Sequence, residues 1–205
     1  MRLLAVGDEV SPALERAVLS PSFPKVDLIL SCGDLPYDYL EFLVDAVDAP
    51  LLFVRGNHDR PIHSEDRVIR APQGGVDVDG KVLERKGLIV AGFGGCLRYD
   101  PRAENQYTEA QMRWRIRRVT PKLWWNKLRR GRAVDILLTH APPYGVHDGT
   151  DVAHRGFQAF LAFIERWQPR FHFHGHTPPR PGVPSTTQIG PTQVVHVRGF
   201  RILEL

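Results

Sequence analysis

Asp8, Asp34, Asn57, His140 and His176 share one placement: each stands where an apolar run stops. The runs are RLLAVG, VDLILSCG, LLFVRG, VDILLT and FHFHG. In a sheet built from strand–helix–strand units the carboxyl ends of the strands lie along one edge, and ligands bind in the crevice outside it. Five polar residues leaving such strands converge there. Carboxylate, amide and imidazole donors together suit a borderline divalent ion such as Mn²⁺, Fe²⁺ or Zn²⁺, and the lack of thiolates argues against a structural zinc finger. Taken singly, each is ordinary, because Asp and Asn form turns and most histidines are merely satisfied. The recurrence carries the metal reading, and LLFVRGNHDRP at 51–61 concentrates it by setting Asn57, His58 and Asp59 in a row at the mouth of an apolar strand.

The elements that must position these residues follow from periodicity. Strands are expected at 2–6, 26–31, 51–55, 134–139 and 171–174, with a hairpin over 82–93 turning at Lys86 and Gly87. Ser11 and Pro12 supply an N-cap and a first-turn proline for a helix to about 20, and Leu40, Leu43, Val44 and Val47 form the stripe of a second. Two helices are expected within 108–130, broken at Thr120 and Pro121, and a further one over 156–168. Runs at 192–197 and 200–205 read as a closing hairpin. Continuous apolar strands alternating with helices imply parallel pairing with both faces covered, and hairpins imply antiparallel edges, so a mixed α/β architecture is expected.

At 205 residues the chain fits one domain, 1–205, carrying a basic helical insert at about 108–132. No apolar run approaches a transmembrane helix, and MRLLAVGDEV turns polar too soon for a signal peptide; a cytoplasmic location and no membrane partner are expected. Cys32 and Cys96, both beside apolar strands, read as reduced, packed thiols. The net charge of +4 is local: nine Lys and Arg and no acid lie in 113–132. GFGG at 92–95 lacks a following helix and reads as a close backbone approach rather than a phosphate cradle.

GDE at 7–9, GDLPY at 33–37, GNHD at 56–59, THAPP at 139–143 and HGHT at 174–177 resemble, in order and spacing, the blocks of the calcineurin-like metallophosphoesterases, in a compact subgroup with HAPPYG and HGHT. The resemblance implies a four-layer α-β-β-α sandwich, two mixed sheets flanked by helices. It also implies a metal-dependent phosphoester hydrolase, a phosphodiesterase by preference, with metal-bound hydroxide as nucleophile. Under it Asp34 bridges two ions, Asn57, His140 and His176 complete the second, and Asp8 contributes to the first. His58 is then the general acid, and Asp59 orients its ring. The substrate is a small phosphoester or nucleotide.

Two departures bear on the metal count. Val10 and Pro178 stand where the family carries histidines, and both are ligands of the first ion. One or two ions (Mn, Fe or Zn) thus remain open, with the first position weakened, filled by a substitute from Glu9, Cys32, His147 or His174, or unneeded. His174, His147 and Arg60 are auxiliary site candidates, the last as a grip on phosphate.

Met112, Ile116, Val119 and Leu123 give the insert a face to bury, and Phe157, Phe160, Leu161, Ile164 and Trp167 form a second core stripe. Trp114, Trp124 and Trp125 are expected to pack inward under arginine stems. The less favoured alternative is a nuclease that binds nucleic acid through this patch. A further rival is a catalytically impaired scaffold that keeps the fold and binds metal or phosphate.

Overall fold

A computed structural model describes residues 1–63, 68–69 and 71–205. The strands are β1 (Arg2–Gly7), β2 (Leu28–Ser31), β3 (Leu51–Phe53), β4 (Ile62–His63), β5 (Val68–Ile69), β6 (Gly75–Asp77), β7 (Lys81–Arg85) and β8 (Leu88–Phe93). They continue with β9 (Cys96–Leu97), β10 (Gln106–Tyr107), β11 (Ile136–Thr139), β12 (Phe171–His174), β13 (Thr186–Ile189), β14 (Thr192–His196) and β15 (Gly199–Glu204). The helices are α1 (Pro12–Val18), α2 (Tyr37–Val47), α3 (Glu109–Arg130) and α4 (Gln158–Trp167).

Two large mixed sheets result. One has the order β15-β1-β2-β3-β6, parallel except for β15; the other, β13-β14-β12-β11-β8-β7, is parallel at its centre with antiparallel β13 and β7 at its edges. The period of two along each strand builds the layers. Leu3, Ala5, Leu28 and Leu30 point from the first sheet toward Val90, Ile136, Leu138 and Phe173 of the second, making an inter-sheet core. The alternate residues Leu4, Val6 and Ile29 pack outward on Leu14, Leu40 and Leu43 of α1 and α2. On the far side Ala91, Leu137 and Val194 meet Met112, Leu123, Phe160 and Phe163 of α3 and α4. The four-layer α-β-β-α sandwich expected from the sequence is therefore present.

Three expectations are corrected, two of them in the backbone. The insert is one helix rather than two: α3 runs unbroken through Thr120 and Pro121. Proline removes the amide that would bond to the Arg117 carbonyl. Arg117 and Pro121 are exposed, so the lost bond lies on the solvent side of the helix, while Val119 and Leu123 on the opposite face hold the turn against the core. The helix starts with a capping box formed by Thr108 and Gln111 and ends on Gly131 with φ of 73°. The closing hairpin also does not form. β14 pairs with β12 and β13, whereas β15 crosses to the other sheet beside β1. Val194 and Val195 are buried on both faces, so β14 needs neighbours on each side, and the hairpin partner is β13, which the sequence reading missed.

The hairpin of β7 and β8 forms as expected, with Lys86 and Gly87 in the left-handed region. GFGG is a close approach: a Cβ on Gly94 would lie 2.6 Å from the Arg55 carbonyl oxygen, and one on Gly95 2.2 Å from that of Asn105. The tryptophans of α3 do not pack inward. Trp114, Trp124 and Trp125 are about half exposed, and Arg118, Lys127 and Arg129 lie over their respective rings. Cys32 and Cys96 are free and buried. No helix among the described residues is long and apolar enough to cross a membrane.

Candidate metal centre

Parallel strands from both sheets end at one place. Asp8 follows β1, Asp34 and Asn57 leave the loops after β2 and β3, His140 follows β11 and His176 lies two residues beyond β12. Asp8, Asp34 and His176 have φ of 60°, 55° and 73°. Each such non-glycine residue costs of order 1–3 kcal/mol, and strain of this kind gathers at functional sites.

His140 is the hub. Its buried ring donates from Nδ1 to the Cys32 carbonyl at 2.8 Å, which turns Nε2 toward Asn57 Oδ1 at 2.9 Å and Asp34 Oδ2 at 3.4 Å. Ligand atoms about 2.1 Å from a divalent ion lie roughly 3.0–3.4 Å from one another, so both separations from Nε2 suit a shared ion. Asp8, Asp34 and His140 also present ligand atoms all within 4.8 Å of one another. Two glycines make room for the carboxylates: a Cβ on Gly56 would lie 2.0 Å from Asp34 Oδ1, and one on Gly175 2.6 Å from Asp8 Oδ2. The donor set and this cradle fit a borderline divalent ion.

Electrostatics agree. Burial opposes charge on His140, but Asp34, Asp8 and the Cys32 carbonyl outweigh it and lift its pKa to about 9. Burial likewise opposes charge on Asp34, yet His140 and the His58 amide pull its pKa down to about 2. Asp8 is pushed up to about 6, mainly by burial. Without a cation, the proton on His140 offsets the carboxylates.

The remaining candidates fall at different distances from this hub. The His176 ring packs 4.8 Å from that of His140, and its Nε2 donates to the Ala153 carbonyl at 2.7 Å, so only Nδ1 is left that could coordinate an ion. Burial, with the His140 charge, lowers its pKa to about 3 and keeps it neutral. His58 is exposed at the rim, tethered by its amide to Asp34 Oδ1 at 2.9 Å. The contacts of Asp59 differ from the one expected of it. Its Oδ2 accepts the amides of Asp34 and Gly56 at 2.9 and 2.7 Å, and among the described residues no hydrogen bond joins it to the His58 ring. A carboxylate that clamps two backbone amides is a brace for the loop. Arg60 donates to the Asn57 carbonyl at 3.0 Å, so part of its guanidinium holds the same loop.

The substitute ligands considered for the first ion are engaged elsewhere. Glu9 pairs with Arg198 at 3.0 Å, and His147 and His174 bond to each other at 2.9 Å. Burial holds the Cys32 thiol well above its usual range, and Cys32 contributes its carbonyl instead. Tyr99 was missed. Its hydroxyl accepts from Asn57 Nδ2 at 3.2 Å and so aims Oδ1 at His140. No local motif marks it, because it arrives from a loop forty-two residues away.

Fold and site together define an α/β sandwich with a carboxylate, amide and imidazole centre where its two sheets meet. The chain belongs to the calcineurin-like phosphoesterase family, whose model matches residues 1–180. Membership supports metal-dependent phosphoester hydrolysis as the general class of activity. A search of curated proteins returns no match. Among solved structures, TT1561 of Thermus thermophilus is similar at 19% identity and a TM-score of 0.63, covering 97% of this chain and 88% of that one. A putative 5'-nucleotidase from Staphylococcus aureus, in complex with alpha-ketoglutarate, is similar at 12% identity and a TM-score of 0.55, covering 99% of this chain and 50% of that one. Both likenesses speak for the fold.

Proposed function

We infer that this protein is a metal-dependent phosphodiesterase acting on a small phosphoester or nucleotide. The observation that supports this most is the approach of Asp34 Oδ2 and Asn57 Oδ1 to within 3.4 Å of His140 Nε2, from three loops and both sheets. Asp34, Asn57, His140 and His176 would hold the ion, with Asp8 beside them. When bound, a divalent ion supplies charge neutralisation for the phosphate and lowers the pKa of a water toward neutrality, which makes the nucleophile. The protein's own side chains do the rest. His140, locked by the Cys32 carbonyl, and Asn57, locked by Tyr99, keep their donor atoms fixed before substrate arrives. His58, exposed at the rim and with no hydrogen bond to its ring among the described residues, gives its proton to the departing oxygen. The Asp59 brace keeps Gly56 and Asp34 at the separation the site needs.

With Val10 and Pro178 in place of two histidines, one ion is the expected complement. The two free thiols suit a reducing compartment, consistent with a cytoplasmic protein. The test is hydrolysis of a chromogenic phosphodiester by the Mn²⁺-loaded chain, with metal counted per chain. Turnover abolished by Asn57→Ala supports the enzyme. Metal bound at one equivalent with no turnover on any phosphoester favours the scaffold reading, which rests on the same two missing histidines.

A further inference from the structure

Beside the centre, on the side of Glu9 and Pro178, lies a cavity of about 340 Å³. Arg180, Arg198 and Arg201 line it, with Glu9 the one acid among the lining residues and already paired to Arg198. Three guanidinium groups against one carboxylate leave the wall net positive. His147 and His196 close the inner end, and Pro178, Pro179 and Pro184 supply a stiff apolar side. His196 is buried, with 8% of the residue exposed, and its Nε2 has no hydrogen-bond partner among the described residues. An unpartnered buried polar atom in a residue that lines a cavity calls for an explanation, and a ligand or water is one. The rest of the inner wall is saturated in one consistent tautomer. His174 donates from Nδ1 to the Gly175 carbonyl, His147 donates from Nδ1 to His174 Nε2, and Thr187 donates to His147 Nε2. That chain ends on the peptide whose Cβ-free Gly175 makes room for Asp8, so the cavity wall and the metal centre are one rigid piece.

We propose that this cavity is a subsite for a second anionic group, a phosphate or a carboxylate, on a substrate whose scissile phosphoester sits at the Asp34, Asn57 and His140 centre. The substrate class is then a phosphodiester with a further anion on the alcohol that is retained. Arginine suits this task because its planar donors match two oxygens at once. The proline wall packs the linker between the two anions. The proposal rests on the hydrolase reading for what the anion is attached to, not for the anion site itself.

The experiment uses nitrophenyl phosphodiesters whose second alcohol ends in a hydroxyl, a carboxylate or a phosphate, over a series of linker lengths, with the Mn²⁺-loaded full chain. One anionic arm is expected to lower KM by about 10-fold or more relative to the hydroxyl arm, and the arm that gains more identifies the group. Arg201→Gln and Arg180→Ala should each remove most of that gain while leaving turnover of the hydroxyl compound unchanged. Equal KM for all three arms, or a preference that survives both substitutions, overturns the subsite. If no compound is hydrolysed, the hydrolase reading fails by itself, and the subsite is read by calorimetry of the anionic compounds against the metal-free chain. Binding weakened about 10-fold by Arg201→Gln but not by Asn57→Ala supports it; no binding, or binding indifferent to Arg201, sinks it.

Discussion

His140 Nδ1 donates to the carbonyl of Cys32 at 2.8 Å, and this one bond ties the end of a strand in the second sheet to the loop of Asp34 in the first. The imidazole is thereby fixed in orientation before any ion arrives. Its opposite nitrogen faces Asn57 and Asp34, and the nearby carboxylates hold a proton on the ring up to about pH 9.

That proton has a sign that experiment can read. In the unfolded chain it leaves near 6.5, in the metal-free folded chain near 9, so the folded state binds more protons between those values. The contribution of His140 to stability is complete below about 6.5 and is lost as pH rises toward 9. An ion needs the neutral ring, so Mn²⁺ should bind more tightly with rising pH over this window, by about tenfold per unit for one displaced proton. Urea unfolding with chelator and with Mn²⁺ across the window checks both slopes. Parallel slopes would remove His140 from the site.

Tyr99 and Asn57 separate an orienting role from a ligand role. Tyr99→Phe removes the acceptor for Asn57 Nδ2 and should weaken metal binding about 10-fold, as outer-shell losses do. Asn57→Ala should cost considerably more. Isothermal titration with Mn²⁺ decides it, and equal effects would show that Tyr99 does not act through the amide.

Gly56→Ala puts a methyl 2.0 Å from Asp34 Oδ1, a separation no real contact tolerates. The carboxylate or the loop must move. Activity and metal affinity should both fall at least about 100-fold, the scale on which a misplacement of about 1 Å costs a catalyst, while far-UV circular dichroism stays that of the parent. Retained metal affinity in this variant would mean that Asp34 is not a ligand.

His58 is tested through the leaving group. A nitrophenolate departs without a proton, whereas an alkoxide needs one. His58→Ala should therefore cut kcat by about 10²–10⁴-fold for an alkyl phosphodiester and far less for a nitrophenyl one, with metal content unchanged. The same loss on both substrates would assign His58 to binding instead.

Pro121→Ala restores an amide to an exposed position in the middle of α3. Stability should rise by about 1 kcal/mol or more, because proline in a helix interior costs about 3 kcal/mol relative to alanine and the helix here has already adapted. Thermal unfolding measures the gain, and turnover should not change. A loss of stability would mean that the proline is needed where it stands.

Much was legible from residue order alone. Apolar runs stopping at Asp8, Asp34, Asn57, His140 and His176 marked the strand ends, because a parallel strand buried on both faces must be apolar until it leaves the sheet. The structure adds a role for two of the glycines before them, since Gly56 and Gly175 leave the space that the carboxylates of Asp34 and Asp8 fill. Tertiary structure decided what the order could not. Whether 192–197 pairs with 200–205 depends on which sheet has a vacant neighbour position, and two apolar runs read alike in either case. Whether Pro121 breaks a helix depends on the core holding Val119 and Leu123 across it. Asp59 became a brace, Cys32 a carbonyl acceptor and Tyr99 an orienter for the same reason. A hydrogen bond joins atoms close in space, and the spacing between residues in a chain does not record which loops will meet.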